Sequence, residues 1–234
     1  MNINELSVSQ QNIQYHTELN PNCWQGWTML PPVRAKLIDI AQLFVNYLEM
    51  PDFEIDDVRL TGSMCNFNWT KYSDFDLHIV TDYAALDCDD IAGALFQAKK
   101  TIWNDKHDIT INGHDVELYI ENSASPPRSI GMFSIIDNKW ISKPEYTNPK
   151  YDYSAVDRKA KALIDLIQQT IHRGDSVDDF ERTIAKVYKM RQNGLDTGGE
   201  FSTENLAFKT IRNLKWLDRL RDARDNFIDK TYSL

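Results

Sequence analysis

Asp74 and Asp76 stand in an apolar frame, alternating with Phe75, Leu77 and Ile79. That alternation is a strand's, whose successive side chains point to opposite faces. Both carboxylates therefore share one face, and the apolar residues pack beneath them. Two like charges so placed are costly unless a cation lies between them. Hard Mg²⁺ suits the position, because it takes carboxylate oxygens and keeps room for phosphate oxygens. Ten residues separate Asp74 from Gly62-Ser63, the turn in which the expected strand Val58–Thr61 ends. Glycine lets backbone approach a phosphate closely, and turn N–H groups with a serine hydroxyl can hold a nucleotide's terminal phosphates. A third carboxylate is expected from His114–Ile120, where Val116, Leu118 and Ile120 face the core and Asp115, Glu117 and Tyr119 face away. Glu117 is the first choice, Asp115 its rival on the same face, and Glu121 comes after both.

Gly62-Ser63, ten intervening residues, then Asp-x-Asp between apolar flanks resembles the signature of the polymerase-β-type nucleotidyltransferase superfamily. The local text Leu60-Thr61-Gly62-Ser63 and Tyr72-Ser73-Asp74-Phe75-Asp76-Leu77-His78 is similar to uncharacterised nucleotidyltransferases of phage and bacterial genomes. The superfamily resemblance spans roughly 33–121. Similarity to the uncharacterised group extends to Trp140-Ile141 and to Glu204–Lys209. The resemblance implies a nucleotidyltransferase-fold core of α/β (α+β) class, a mixed sheet with flanking helices, followed by a C-terminal helical lobe. The expected boundary puts the catalytic core with its N-terminal arm at 1–150 and the lobe at 151–234, with the site in the cleft between them.

In that setting Asp74, Asp76 and Glu117 are expected to hold two Mg²⁺ or Mn²⁺ ions about 3.5–4 Å apart. One ion would carry the phosphates of an NTP and the other the acceptor hydroxyl. Gly62 and Ser63 would hold the phosphates, with Lys71 and Ser73 in reach. Transfer of this kind depends mainly on positioning and charge neutralisation. His78 shares the face of Asp76. The resemblance also implies a basic residue from the C-terminal helices over the triphosphate, and Lys209 is the first choice.

The elements that must position these groups are legible in outline. Pro31-Pro32 opens a helix along which Val33, Leu37, Ile40, Phe44 and Leu48 recur, with Pro51 as its stop. Asp89-Asp90 start another, with Ile91, Leu95, Ala98 and Ile102 read as its apolar face. Asn112-Gly113 signals a hairpin. Strands are expected at Gly131–Ile136 and around Trp140-Ile141, with Asp137-Asn138 as a turn between them. Trp24 and Trp27 are expected to pin an irregular arm to the core. Helices follow at about 155–172, 177–192 and 203–226, the second opened by Ser176 with Asp179 in a capping-box pattern. The stretch Gly194–Gly199 reads as a loop before the third.

The formal charge of −9 is uneven: 1–150 carries 11 Lys+Arg against 21 Asp+Glu, and 151–234 carries 15 against 14. An acidic first part argues against broad electrostatic gripping of nucleic acid. Lys209, Arg212, Trp216 and Arg219, at i, i+3, i+7 and i+10, form an expected basic stripe, opposite Ala207, Ile211 and Leu214. On that stripe an RNA 3′ end, such as that of tRNA, is the leading acceptor. A protein hydroxyl, a small molecule or a second nucleotide remain alternatives, as does a non-catalytic nucleotide-binding module. No apolar run approaches the ~20 residues of a membrane span. Met1–Gln14 has no signal-peptide core. Cys23, Cys65 and Cys88 follow no disulfide or zinc spacing, so a reducing cytoplasm is expected.

Overall fold

The computed structural model describes residues 13–50, 53–85, 89–126, 129–147 and 149–234; Pro51 and Cys88 lie outside them. The chain falls into two compact units: Tyr15–Thr147, and a helical unit that joins 149–234 with Ile13 and Gln14. The first is a mixed α/β layer structure and the second is all helix, the fold class expected.

In the first unit a two-stranded ribbon, β1 (Trp24–Gln25) and β2 (Thr28–Met29), precedes helix α1 (Pro31–Leu48). Trp24 is buried, donates through Nε1 to the Met64 carbonyl at 2.7 Å and stacks on Trp140. Trp27 is 44% exposed, but its ring meets Phe67 and Trp140 edge-on and its carbonyl accepts from Trp140 Nε1 at 2.9 Å. Helix α1 buries Val33, Leu37, Ile40, Phe44 and Leu48, the stripe read from the sequence. It ends at Glu49, whose backbone is left-handed (φ 55°).

Six strands make the main sheet: β3 (Asp57–Thr61), β4 (Phe75–Thr81), β5 (Thr110–Ile111), β6 (His114–Asn122), β7 (Met132–Ser134) and β8 (Lys139–Ser142), in the order β5-β6-β4-β3-β7-β8. The β4–β6 pair is parallel and the other pairs are antiparallel. A parallel pair needs a long crossover, supplied by helix α2 (Asp89–Lys106). The hairpin between β5 and β6 turns on Asn112 (φ 51°) and Gly113 (φ 82°), the two positive φ values of a type I′ turn.

Leu60, Phe75, Leu77, Ile79, Val116 and Leu118 face a single core with the inner sides of α1 and α2. The inner side of α2 is one residue away from the expected one. Ala92, Phe96 and Trp103 are buried, while Ile91, Leu95 and Ile102 are exposed at 62%, 39% and 44%. The aromatic rings decide the rotation because they bury the most area. Phe96 meets Phe53 edge-on at 5.6 Å, and Trp103 meets Phe44 at 5.3 Å.

The helical unit contains α3 (Tyr153–Arg173), α4 (Val177–Gly198), α5 (Thr203–Asn213) and α6 (Trp216–Tyr232). The Asp179 carboxylate accepts from the Ser176 backbone N–H at 3.1 Å and hydroxyl at 2.9 Å, closing the capping box read from the sequence. Two expectations are corrected. Gly194 lies inside α4, and a Cβ there would come within 2.4 Å of the Glu204 Cβ. Its small size serves close helix packing, not a loop. The expected helix 203–226 is broken at Lys215, which is left-handed (φ 61°). The break lets Ile211 of α5 and Leu217 and Leu220 of α6 enter one core, which a single straight helix would not allow. Lys209 and Arg212 therefore do not continue into Trp216 and Arg219 as one stripe. Among the described residues no helix is long and apolar enough to cross a membrane.

Candidate functional site

The polar face of the sheet is ordered in rows by strand register. Thr61 of β3 pairs with Asp76 of β4, and Asp76 pairs with Glu117 of β6. Paired residues of neighbouring strands project to the same face, so Asp76 and Glu117 are side by side there. The next row along the strands is Arg59, His78 and Tyr119, and beyond it come Asp57, Val80 and Glu121. Asp74 immediately precedes β4 and, two residues from Asp76, belongs to the same face. Asp115 is exposed and sits opposite Thr110 at the turn end of β6. Glu121 accepts from, or is paired with, His78 Nδ1 at 3.0 Å.

Gly62 opens a short 3₁₀ turn, Gly62–Cys65, directly after β3. Its φ is +71°, and a Cβ on it would lie 1.8 Å from Asp76 Oδ2. Only glycine lets this turn pass so close to the carboxylate. The Ser63 hydroxyl donates to Ser73 Oγ at 2.8 Å, and that oxygen also accepts the Thr70 N–H at 2.8 Å. The turn is thus tied to the loop that leads into Asp74. Lys71 places its ammonium 4.8 Å from the Tyr72 ring centre.

His114 anchors the same loop. Its Nδ1 meets the Ser73 carbonyl at 2.7 Å, so Nδ1 carries the proton and Nε2 accepts from the Asn20 amide at 3.3 Å. The ring is 5% exposed. It joins the N-terminal arm, the loop before Asp74 and the start of β6, which fixes the acids relative to each other.

Tyr119 and Lys100 complete the electrostatics. The Tyr119 hydroxyl donates to Glu117 Oε2 at 2.5 Å, and its ring stacks on His78 with centroids 4.8 Å apart. Burial, and then the charges of Asp76, Glu117 and Asp74, push the phenol well above its ordinary value. It stays protonated and serves as a fixed donor, not a base. Lys100 of α2 sets its ammonium 4.1 Å from the Tyr119 ring centre. Burial lowers its pKa, opposed by Glu117 and Asp76. Sequence reading did not single out Lys100 or His114. Lys100 is four residues after Phe96 and three before Trp103, on the side of α2 that faces inward. A lysine in such a stripe is the one signal available. His114 carries no comparable signal, because its partners are far away in sequence.

Asp74, Asp76 and Glu117 offer the carboxylate oxygens that a hard divalent cation takes, with Asp76 packed against the Gly62 turn. Among the described residues, however, no three His, Cys, Asp or Glu side chains are gathered into a group that could hold a metal ion. Lys209 belongs to α5 of the helical unit, where its ammonium pairs with Glu200 Oε1 at 3.2 Å.

No protein-family model matches the chain, and no curated protein matches it. Among solved structures it is similar to the STING-associated CdnE c-di-GMP synthase from Capnocytophaga granulosa, at 13% identity over 85% of this chain and 83% of that one, with a TM-score of 0.23. A likeness of that size carries no argument about fold or activity.

Proposed function

We propose that the chain is a metal-dependent nucleotidyltransferase, moving a nucleoside monophosphate from an NTP to an acceptor hydroxyl with release of pyrophosphate. The observation that carries this reading is the contact of Gly62 with Asp76, in a row that also holds Glu117. It packs the turn that would meet the phosphates directly against a carboxylate whose register partner is Glu117. Asp74, Asp76 and Glu117 are the residues that would hold Mg²⁺ or Mn²⁺, which when bound neutralises phosphate charge. Gly62 admits the phosphates, and the Ser63 hydroxyl exchanges Ser73 for a phosphate oxygen. The acceptor oxygen attacks the α-phosphorus, the bond to the bridging oxygen of pyrophosphate breaks, and the hydroxyl proton passes to Glu117. Tyr119, held protonated, keeps that carboxylate aimed.

The RNA 3′ end loses the support it had in the sequence. The basic stripe is broken at Lys215, Lys209 is paired with Glu200, and Arg219 lies over Trp216 at 4.5 Å. The acidic polar face favours a smaller acceptor. A second reading, nucleotide binding without transfer, draws on the acids not being gathered.

The test is incubation with each [α-³²P]NTP, Mg²⁺ or Mn²⁺, and separate RNA, protein and small-molecule fractions of a cell extract, with the Asp74→Ala/Asp76→Ala double variant as control. Label that enters one fraction and vanishes in the variant supports transfer and identifies the acceptor class. NTP retained without any product supports the binding module.

A further inference from the structure

Beyond the acids, the polar face opens into a pocket of about 310 Å³, lined among others by Thr61, His78, Tyr119, Glu121, Asn122 and Met132. All of these belong to the sheet unit. The volume is at the small end of ligand sites, which run from about 300 to 1,000 Å³, so it admits a small molecule and not a folded polymer. Its floor is one row along from the acids: His78 follows Asp76 by two residues, and Tyr119 follows Glu117 by two, about 7 Å at the rise of a strand. A molecule seated there extends over that distance to bring a hydroxyl to Asp76 and Glu117.

The chemistry of the walls restricts the guest. Thr61 is 3% exposed and lines the pocket from β3. Glu121 contributes a carboxylate and Asn122 an amide, while Met132 and the stacked His78–Tyr119 rings form apolar surface. Across the same face stand Asp76 and Glu117; with Glu121 they outnumber the cations there, Arg59, engaged by Asp57 at 3.0 Å, and Lys100, over the Tyr119 ring at 4.1 Å. Negative potential disfavours a phosphate-bearing guest and favours hydroxyl and ammonium groups.

We infer that this pocket is the acceptor site, and that the acceptor is a small polyhydroxylated molecule that bears no phosphate, neutral or carrying an amine. The inference rests on the transfer reading for its role as acceptor, while binding in the pocket is measured without NTP. With Mn²⁺ and NTP omitted, the [methyl-¹³C]Met132 resonance of the full chain is followed while glucosamine, glucose and glucose 6-phosphate are titrated as probes of one ring with three charges.

Glucosamine binds best and glucose more weakly, both moving the Met132 methyl, and glucose 6-phosphate does not bind. Glu121→Gln weakens glucosamine by about tenfold and leaves glucose nearly unchanged, as expected for loss of a charge-assisted contact. Asp76→Asn, which abolishes transfer, leaves an attenuated but measurable glucosamine shift at Met132. Glucose 6-phosphate binding as tightly as glucosamine, or no movement of Met132 with any probe, overturns the inference. Either outcome leaves the transfer reading to its own assay. Conversely, normal glucosamine binding in a protein that transfers no label refutes the catalytic reading and keeps the pocket.

Discussion

Gly62→Ala isolates the contact on which the functional reading rests. The new Cβ would lie 1.8 Å from Asp76 Oδ2 and 2.9 Å from its Cγ, against ordinary contact at 3.4–4 Å. If Asp76 alone gives way, its carboxylate moves by about 1.6 Å. Displacement of a reacting group by about 1 Å costs on the order of 100-fold in rate, so transfer should fall at least that far. The left-handed φ adds a backbone cost of about 1–2 kcal/mol for alanine. Gly113→Ala separates the two effects. Gly113 also has a positive φ, +82°, but nothing lies within 4 Å of a Cβ there. It should lose about 1–2 kcal/mol of stability and keep its activity. The assay is label transfer from [α-³²P]NTP, with urea unfolding of each variant read in parallel. A folded Gly62→Ala protein that transfers label as fast as Gly113→Ala would refute the placement of phosphates against Asp76.

Further outcomes follow from the same geometry. His114→Ala removes the donor to the Ser73 carbonyl and the acceptor for Asn20; it should cost about 2–4 kcal/mol, and a loss below about 1 kcal/mol in urea unfolding would show that the ring is not an anchor. Lys100→Met takes a cation from beside Asp76 and Glu117, so Mn²⁺ binding followed by electron paramagnetic resonance should tighten severalfold, and weaker binding would contradict the assigned surroundings. In the helical unit, Asp152 is held below the ordinary carboxylate value chiefly by the Ala155 N–H, Asp179 by the Ser176 hydroxyl, and Glu204 by Lys159. Lowered folded values mean the unfolded chain takes up protons first, so this stability is complete above about pH 5.5, begins to fall as pH drops through the unfolded values and is lost below the lowered ones. Circular dichroism during acid titration should show the loss, with a shallower dependence in Asp179→Asn.

Much of the candidate site could be named before any coordinates. Asp74, Asp76 and the shared face of Asp115 and Glu117 are legible because strand alternation is a local property: the period of two assigns each side chain a face without reference to any partner. Helix α1 was legible for the same reason, its stripe and its opening prolines being contiguous in the chain. The hairpin at Asn112-Gly113 also follows from local backbone preference.

Other features depend on which distant residues meet. The rotation of α2 is set by Phe96 and Trp103 finding Phe53 and Phe44, and apolar periodicity allowed a stripe one residue away. Gly194 looked like a loop glycine, yet its role comes from the approach of Glu204. The break at Lys215 exists because Leu217 and Leu220 share a core with Ile211, and it removes a basic stripe that spacing alone had drawn. The sequence by itself determined the acids, their common face and the class of fold, since these follow from the chain's own periodicity. Only the tertiary structure set Glu117 beside Asp76, Gly62 against its carboxylate and Lys100 over Tyr119, because register and packing are settled by contacts between segments far apart in the chain.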